Sequence, residues 1–148
     1  IQDYKDENID LLIALHACDT ATDDAIYKGI IAQSNYVVCA PCCHKQLRQA
    51  SKKSDHDNPL MRFGIFQERQ YEMLTDAVRA LMLEHQGYKT KVFEFVSNEH
   101  TRKNIMLIAE KLKERNANTD QAADKLRQLK KDYKLEEHYL EHLLVDLT

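Results

Sequence analysis

The sequence predicts an α/β protein: a parallel strand-helix-strand unit, a long amphipathic helix, an antiparallel closing pair of strands, and C-terminal helices. Three observations carry this prediction. Two short apolar or β-branched runs, Leu11 to Leu15 and Tyr36 to Ala40, flank a stretch whose apolar residues recur at helical spacing. A longer helical pattern runs from Glu68 to His85. Two further strand-like runs, Tyr88 to Val96 and Asn104 to Ala109, are separated only by a short polar connection.

Leu11-Leu12-Ile13-Ala14-Leu15 is unbroken and apolar, with acidic residues before it and a polar turn after it, as for a strand buried on both faces of a parallel sheet. Asp19 or Thr20 can then cap a helix built on Ala25, Ile26, Ile30 and Ile31, with Asp23 and Asp24 in its first turn. Gly29 weakens that helix slightly. Tyr36 to Ala40 is rich in strand formers, and Pro41 ends it because proline has no ladder donor. Strand, helix, strand in this order implies a right-handed parallel crossover. Gln49 to Pro59, rich in Ser, Lys, Asp and Asn, reads as an exposed mobile loop and a candidate lid.

The long helix presents Tyr71, Leu74, Val78, Leu81 and Met82 on one face, and Gly87 stops it. Tyr88 to Val96 alternates and Asn104 to Ala109 is apolar, which predicts an antiparallel pair at the sheet's edge. From Asn118 onward, Leu126, Leu129, Tyr133, Leu140, Leu143 and Leu144 lie among many charges, as in one or two helices docked on the body or on a partner. The basic residues there, Lys125, Arg127, Lys130, Lys131 and Lys134, are balanced by Asp124, Asp132, Glu136 and Glu137, the composition of a solvated face. The chain therefore divides into an α/β part, residues 1–115, and a helical extension, residues 116–148, with no internal repeat.

Composition narrows the function classes. With 148 residues, 43% apolar and 30% charged, the chain reads as one globular unit. No apolar run approaches the roughly 18 residues of a spanning helix, so no membrane partner is expected. Ile1 to Lys5 lacks the apolar stretch of a secretory signal, and a cytoplasmic setting is the expectation. A net charge of -3 offers no overall attraction to a phosphate backbone, so nucleic-acid binding requires a local patch. Cys18, Cys39, Cys42 and Cys43 cluster in one short region and, in that setting, do not read as a disulfide framework.

The turns after the first two strands carry the sharper signal. Leu15-His16-Ala17-Cys18-Asp19-Thr20-Ala21-Thr22-Asp23 and Ala40-Pro41-Cys42-Cys43-His44 resemble the class I S-adenosylmethionine-dependent methyltransferase family that is recognised by an LHAC-x-x-ATD motif followed by PCCH. The resemblance covers roughly residues 8 to 112 and implies the C-terminal half of a Rossmann-like methyltransferase sheet, whose last strand runs antiparallel between its neighbours. It also implies S-adenosylmethionine as cofactor. The family's glycine-rich turn and the acidic ribose-binding residue after it are absent: none of Gly29, Gly64 and Gly87 belongs to a G-x-G pattern. This chain on its own is accordingly expected to be inactive and to need the missing N-terminal part of the same domain.

Open α/β sheets bind ligands outside the carboxyl ends of their strands, where both motif loops lie. Methyl transfer requires the acceptor to be positioned and, where it carries a proton, relieved of it. His16 and His44 are the motif residues with near-neutral intrinsic pKa, and Asp19 can orient one of them or the substrate; these three are the candidate catalytic residues. The alternative is that His16 and Asp19 only shape the loop and cap the following helix. Leu15, His16 and Ala17 are candidates for cofactor contact, while Cys18, Pro41, Cys42, Cys43, Lys45 and Arg48 are candidates for substrate contact. Cys39 belongs to the core. Adjacent cysteines are not the usual C-x-x-C pattern, so no metal ligand set is assigned, although Cys18, Cys42, Cys43, His44 and His16 are the residues that would supply one.

Lys45, Arg48, Lys52 and Lys53 can meet an RNA backbone, Asp55 and Asp57 offset part of that charge, and Arg62, Phe63 and Phe66 can extend the surface. RNA or another macromolecule is therefore the candidate substrate. A non-catalytic interaction module with a methyltransferase-like fold and a zinc-stabilised binding domain are the competing readings. An incomplete sheet exposes a strand edge, which predicts homodimerisation or element swapping.

Overall fold

The computed structural model describes residues 9–50, 59–95, 104–135 and 137–145. The strand Leu11–Leu15 (β1), the helix Thr20–Ile31 (α1) and the strand Tyr36–Ala40 (β2) form the expected parallel unit, with Leu11 opposite Tyr36 and Leu15 opposite Ala40. A short helix, Lys45–Ala50 (α2), follows. After a 3-10 turn at Pro59–Arg62 comes the long helix Gly64–His85 (α3). The strands Tyr88–Glu94 (β3) and Ile105–Lys111 (β4) are antiparallel to each other, and the chain continues into the helices Ala117–Asp132 (α4) and Tyr139–Val145 (α5).

The sheet order is β1-β2-β4-β3, and β4 is antiparallel to both of its neighbours. The closing pair thus places only β3 at an edge. β4 lies inside, where its second row of backbone groups pairs with β2.

The register puts Ala14, Cys39 and Leu107 in one row and Val37 and Ala109 in the next. These residues face α1 and α3, together with Ile26, Val78, Leu83 and Tyr88, and form the core. The opposite face differs from the expectation of a first strand buried on both sides. Leu11, Ile13 and Leu15 are 50%, 56% and 58% exposed, because no described element covers them. Continuous hydrophobicity marked β1 as a sheet strand, but the helices described here supply only one layer. None of these helices is long and apolar enough to cross a membrane.

Other boundaries shift: β4 runs on to Lys111, and β3 ends at Glu94, with Val96 outside the described residues. α3 begins four residues before the periodic pattern because its first turn is off the buried stripe, with Ile65 and Phe66 half exposed. Gln49 and Ala50 belong to α2 rather than to a loop, since the buried Leu47 anchors that turn. Pro59 opens the 3-10 turn, and residues 51–58 of the candidate lid, with Lys52, Lys53, Asp55 and Asp57, lie outside the described residues.

The C-terminal helices dock on the body. Asn116 caps α4 in a reciprocal box with Thr119, α4 packs on α3, and α5 packs on α1. Leu135, Leu140 and Leu144 join the same core as the sheet.

Gly29 has a packing reason to be in α1: a Cβ there would meet Val37 Cγ2 at 2.6 Å. Gly29→Ala should therefore lower stability by about 1–3 kcal/mol, the usual range for overpacking, although alanine is the better helix former. Urea unfolding measures this as a lower midpoint; an unchanged or higher midpoint would mean that α1 can lift from β2 without penalty.

Candidate functional site

The loops after β1 and β2 lie side by side because their strands are adjacent and parallel. The His16 N–H donates to the Ala40 carbonyl at 3.0 Å, extending the ladder one step beyond the strands. His16 and Asp19 both adopt left-handed backbone, with φ of 53° and 49°. Two such non-glycine residues within four positions make a tight, strained turn, a feature that clusters at functional sites. Thr22 holds it from within by donating its hydroxyl to the Ala17 carbonyl at 2.7 Å.

Asp19 reaches across to the second loop. Its side chain makes no capping bond to α1, so the expected cap is absent. Instead Oδ1 accepts the backbone N–H groups of Lys45 and Gln46, at 3.1 and 3.3 Å, and so fixes the start of α2. The imidazole of His16 is exposed, whereas His44 is buried.

His44 Nε2 lies 3.1 Å from both carboxylate oxygens of Asp76. A carboxylate only accepts, so Nε2 donates to Asp76, while Nδ1 is buried and has no partner among the described residues. Asp76 is held in turn by Arg79, whose Nη1 is 3.1 Å from it. The same guanidinium donates Nε to Asp23 at 2.7 Å and Nη2 to the Asp19 carbonyl at 2.9 Å. Burial alone would depress Arg79, but the Asp23 and Asp76 carboxylates outweigh it and hold the group above its ordinary range. The network therefore runs from α1 through α3 to His44, and Arg79 ties the loop after β1 into it.

The thiols divide. Cys39 is inside β2, and burial pushes it up to about 12. Cys18, Cys42 and Cys43 converge from the two loops, with sulfur separations of 3.4, 3.5 and 3.8 Å. Hydrogen bonds from Cys42 and Cys43 hold the Cys18 thiol below its ordinary range, while burial, together with those contacts, pushes Cys42 up to about 12. Cys18 is thus more readily deprotonated than Cys42.

Two clefts share His44. One, of about 370 Å³, is lined by Pro41, His44, Met73, Asp76, Val92 and Asn104 among others. The other, of about 280 Å³, is lined by Cys43, His44, Lys45, Arg48, Glu68 and Glu72 among others. Pro41 lines the first cleft, and Cys43, Lys45 and Arg48 line the second, where the carboxylates of Glu68 and Glu72 balance the two cations. Leu15 and Ala17 lie on the β1 side, with Leu15 exposed.

The reading of the sequence missed Asp23, Asp76 and Arg79 as site residues. A signal was present: Asp76 and Arg79 stand three apart on α3, and Arg79 shares the buried stripe with Thr75 and Leu83, four residues away on either side.

A protein-family model described as a methyltransferase domain matches residues 1–50, a span that includes both loops. No curated protein and no solved structure shows a significant match to the chain.

His138, at the start of α5, closes the network from outside. Its Nδ1 accepts the Leu140 N–H at 3.2 Å, and its Nε2 lies 4.0 Å from Asp23 Oδ1. Burial and the nearby Arg79 push it down to about 3. Because the folded value lies below the ordinary value of about 6.5, the unfolded chain takes up the proton first as pH falls. His138 therefore contributes stability that is present above about pH 6.5 and lost progressively toward pH 3. Unfolding free energies measured across that window should fall less steeply for His138→Gln, by up to about 1.4 kcal/mol per pH unit; parallel curves for the two proteins would refute the assignment.

Proposed function

We propose that this chain carries the acceptor-side loops of an S-adenosylmethionine-dependent methyltransferase. The observation that carries the reading is the methyltransferase-domain match over residues 1–50, which spans two loops packed against each other at the carboxyl ends of adjacent parallel strands. The antiparallel strand lodged between β2 and β3 supports the same reading. When bound, S-adenosylmethionine supplies an activated methyl group for in-line displacement by the acceptor.

Leu15, His16 and Ala17 fit one side of a cofactor site: the turn is exposed, and Ala17 is small. The chain offers no glycine-rich turn to complete it. His44, held by Asp76, lines both clefts; its Nδ1 is buried, so a shift of the loop after β2 must open that atom to the cleft before it takes a proton from an acceptor that carries one. Asp19 acts at one remove, positioning α2 and the second loop through its bonds to Lys45 and Gln46. The sheet face at Leu11, Ile13 and Leu15, and the outer edge of β1, neither of which is covered or paired among the described residues, are where the rest of a complete methyltransferase domain would pack; without it, the same surface joins two copies of this chain. A non-catalytic docking module would use that apolar face as well, and it is the second reading.

Titration calorimetry with S-adenosylmethionine tests the proposal. A form extended toward the N-terminus should bind while this chain alone does not, and His44→Ala in the extended form should reduce methyl transfer by about 10²–10⁴-fold with cofactor binding retained. Undiminished transfer would remove His44 from the mechanism, and no cofactor binding by either form would favour the docking module. Light scattering should show this chain as a dimer, and a monomer at all concentrations would count against pairing through β1.

The proposed acceptor is RNA, contacted by Lys45 and Arg48. Lys45→Ala and Arg48→Ala should each weaken RNA binding across sequences and reduce the slope of log affinity on log salt by about 1. Unchanged slopes would shift the acceptor to a protein or a small molecule, consistent with Glu68 and Glu72 in the same cleft.

A further inference from the structure

We propose that Cys18, Cys42 and Cys43 form a zinc-thiolate site that staples the loop after β1 to the loop after β2. The inference goes beyond the methyltransferase reading and does not depend on it. A Zn–S bond of about 2.3 Å in tetrahedral geometry puts two coordinating sulfurs about 3.8 Å apart. The three sulfurs already stand 3.4, 3.5 and 3.8 Å from one another, close to the edges of one face of such a tetrahedron. All three fall within 4.8 Å of one another, as one ion requires.

The set is assembled from two loops, 24 residues apart in sequence, and their relative position is fixed by other contacts. The Asp19 bonds to Lys45 and Gln46 and the His16 bond to Ala40 hold the loops together independently of the thiols. The sulfurs are thus preorganised by the backbone. Cys18 is exposed, and Cys42 and Cys43 are partly so, which gives an ion a way in.

Binding forms three Zn–S bonds and releases the thiol protons to solvent, leaving three thiolates on a dication with a net charge of -1. Three protein sulfurs leave a fourth position, which water can take; among the described residues no fourth side chain stands with the three sulfurs. A plain cluster of hydrogen-bonded thiols is the alternative, in which Cys18 and Cys42 also point to the His16 carbonyl.

The experiment adds Co²⁺, and separately Zn²⁺ in competition with a chromophoric chelator, to the purified reduced protein. One equivalent should bind. The cobalt form should show sulfur-to-metal charge transfer and the intense visible bands of a tetrahedral site. Cys18→Ser, Cys42→Ser and Cys43→Ser should each weaken zinc binding by more than the roughly 10–100-fold that changes behind the ligands produce, whereas Cys39→Ala should leave it intact.

A second measurement needs no variant: zinc should protect Cys18, Cys42 and Cys43 of the wild-type protein from alkylation, as read by mass spectrometry. Absence of the charge-transfer band, its persistence in Cys42→Ser, or equal alkylation with and without zinc would each overturn the proposal. None of these readouts involves methyl transfer, so failure here leaves the methyltransferase reading untouched.

Discussion

The guanidinium of Arg79 is the constraint on which the arrangement of the site depends. A cation that is 1% exposed is tolerated only if its donors are matched, and Asp23, Asp76 and the Asp19 carbonyl match them from three directions. Those partners lie on α1, on α3 and in the turn after β1. Satisfying one buried charge thus fixes the position of two helices and a loop, which apolar packing alone could satisfy in several registers. Asp76 then has one oxygen shared between Arg79 and His44 and a second facing His44, so the imidazole is oriented by the same requirement. Losing Asp23 or Asp76 would leave Arg79 undercompensated in the core, and the penalty for breaking such a pair, about 3–5 kcal/mol, is large beside the stability of a small domain.

The sheet makes this possible by placing two loops at one end. β1 and β2 run parallel, so their following turns emerge together, and β4 returns antiparallel on the far side of β2. All the apolar layering described is on one face, through α1 and α3, with α4 and α5 stacked outside them. α5 brings His138 to Asp23, so the C-terminal helices reach the network that orients the site as well as the core.

Much of this was legible in the sequence. The runs at Leu11–Leu15 and Tyr36–Ala40 match their strands residue for residue, because each is bounded by polar turns or proline. Gly87, with φ of 90°, ends α3 where glycine's freedom is needed. The antiparallel pairing of β3 with β4 was legible from the short connection. What was not legible depends on tertiary partners. The exposure of Ile13 is set by which helices cover the sheet, and a strand's composition reports its intrinsic fit to a sheet but not its cover. Asp19 sits where a cap to α1 is expected, yet its carboxylate turns to α2, a helix too short and too polar to show periodicity. Arg79 shares the spacing of the buried stripe of α3, but a charged side chain at such a position is placed inside only by its partners, Asp23 and Asp76.

The stretch from Pro41 to His44 shows why the site is compact. Pro41 ends β2 and lines the larger cleft. Cys42 and Cys43 turn back to Cys18, and His44 turns the other way, to Asp76 on α3. A regular strand would send alternate side chains to opposite faces, and a helix would spread them about its axis. Only an irregular connection can send two neighbouring sulfurs to one loop and the next imidazole into the core, and such a connection needs outside anchors to hold its shape. The anchors are the Asp19 carboxylate at the start of α2 and Leu47 buried one turn further on. The conformation of these four residues is therefore set by groups that take no part in their chemistry, and a change at Asp19 would reach the sulfurs and His44 together.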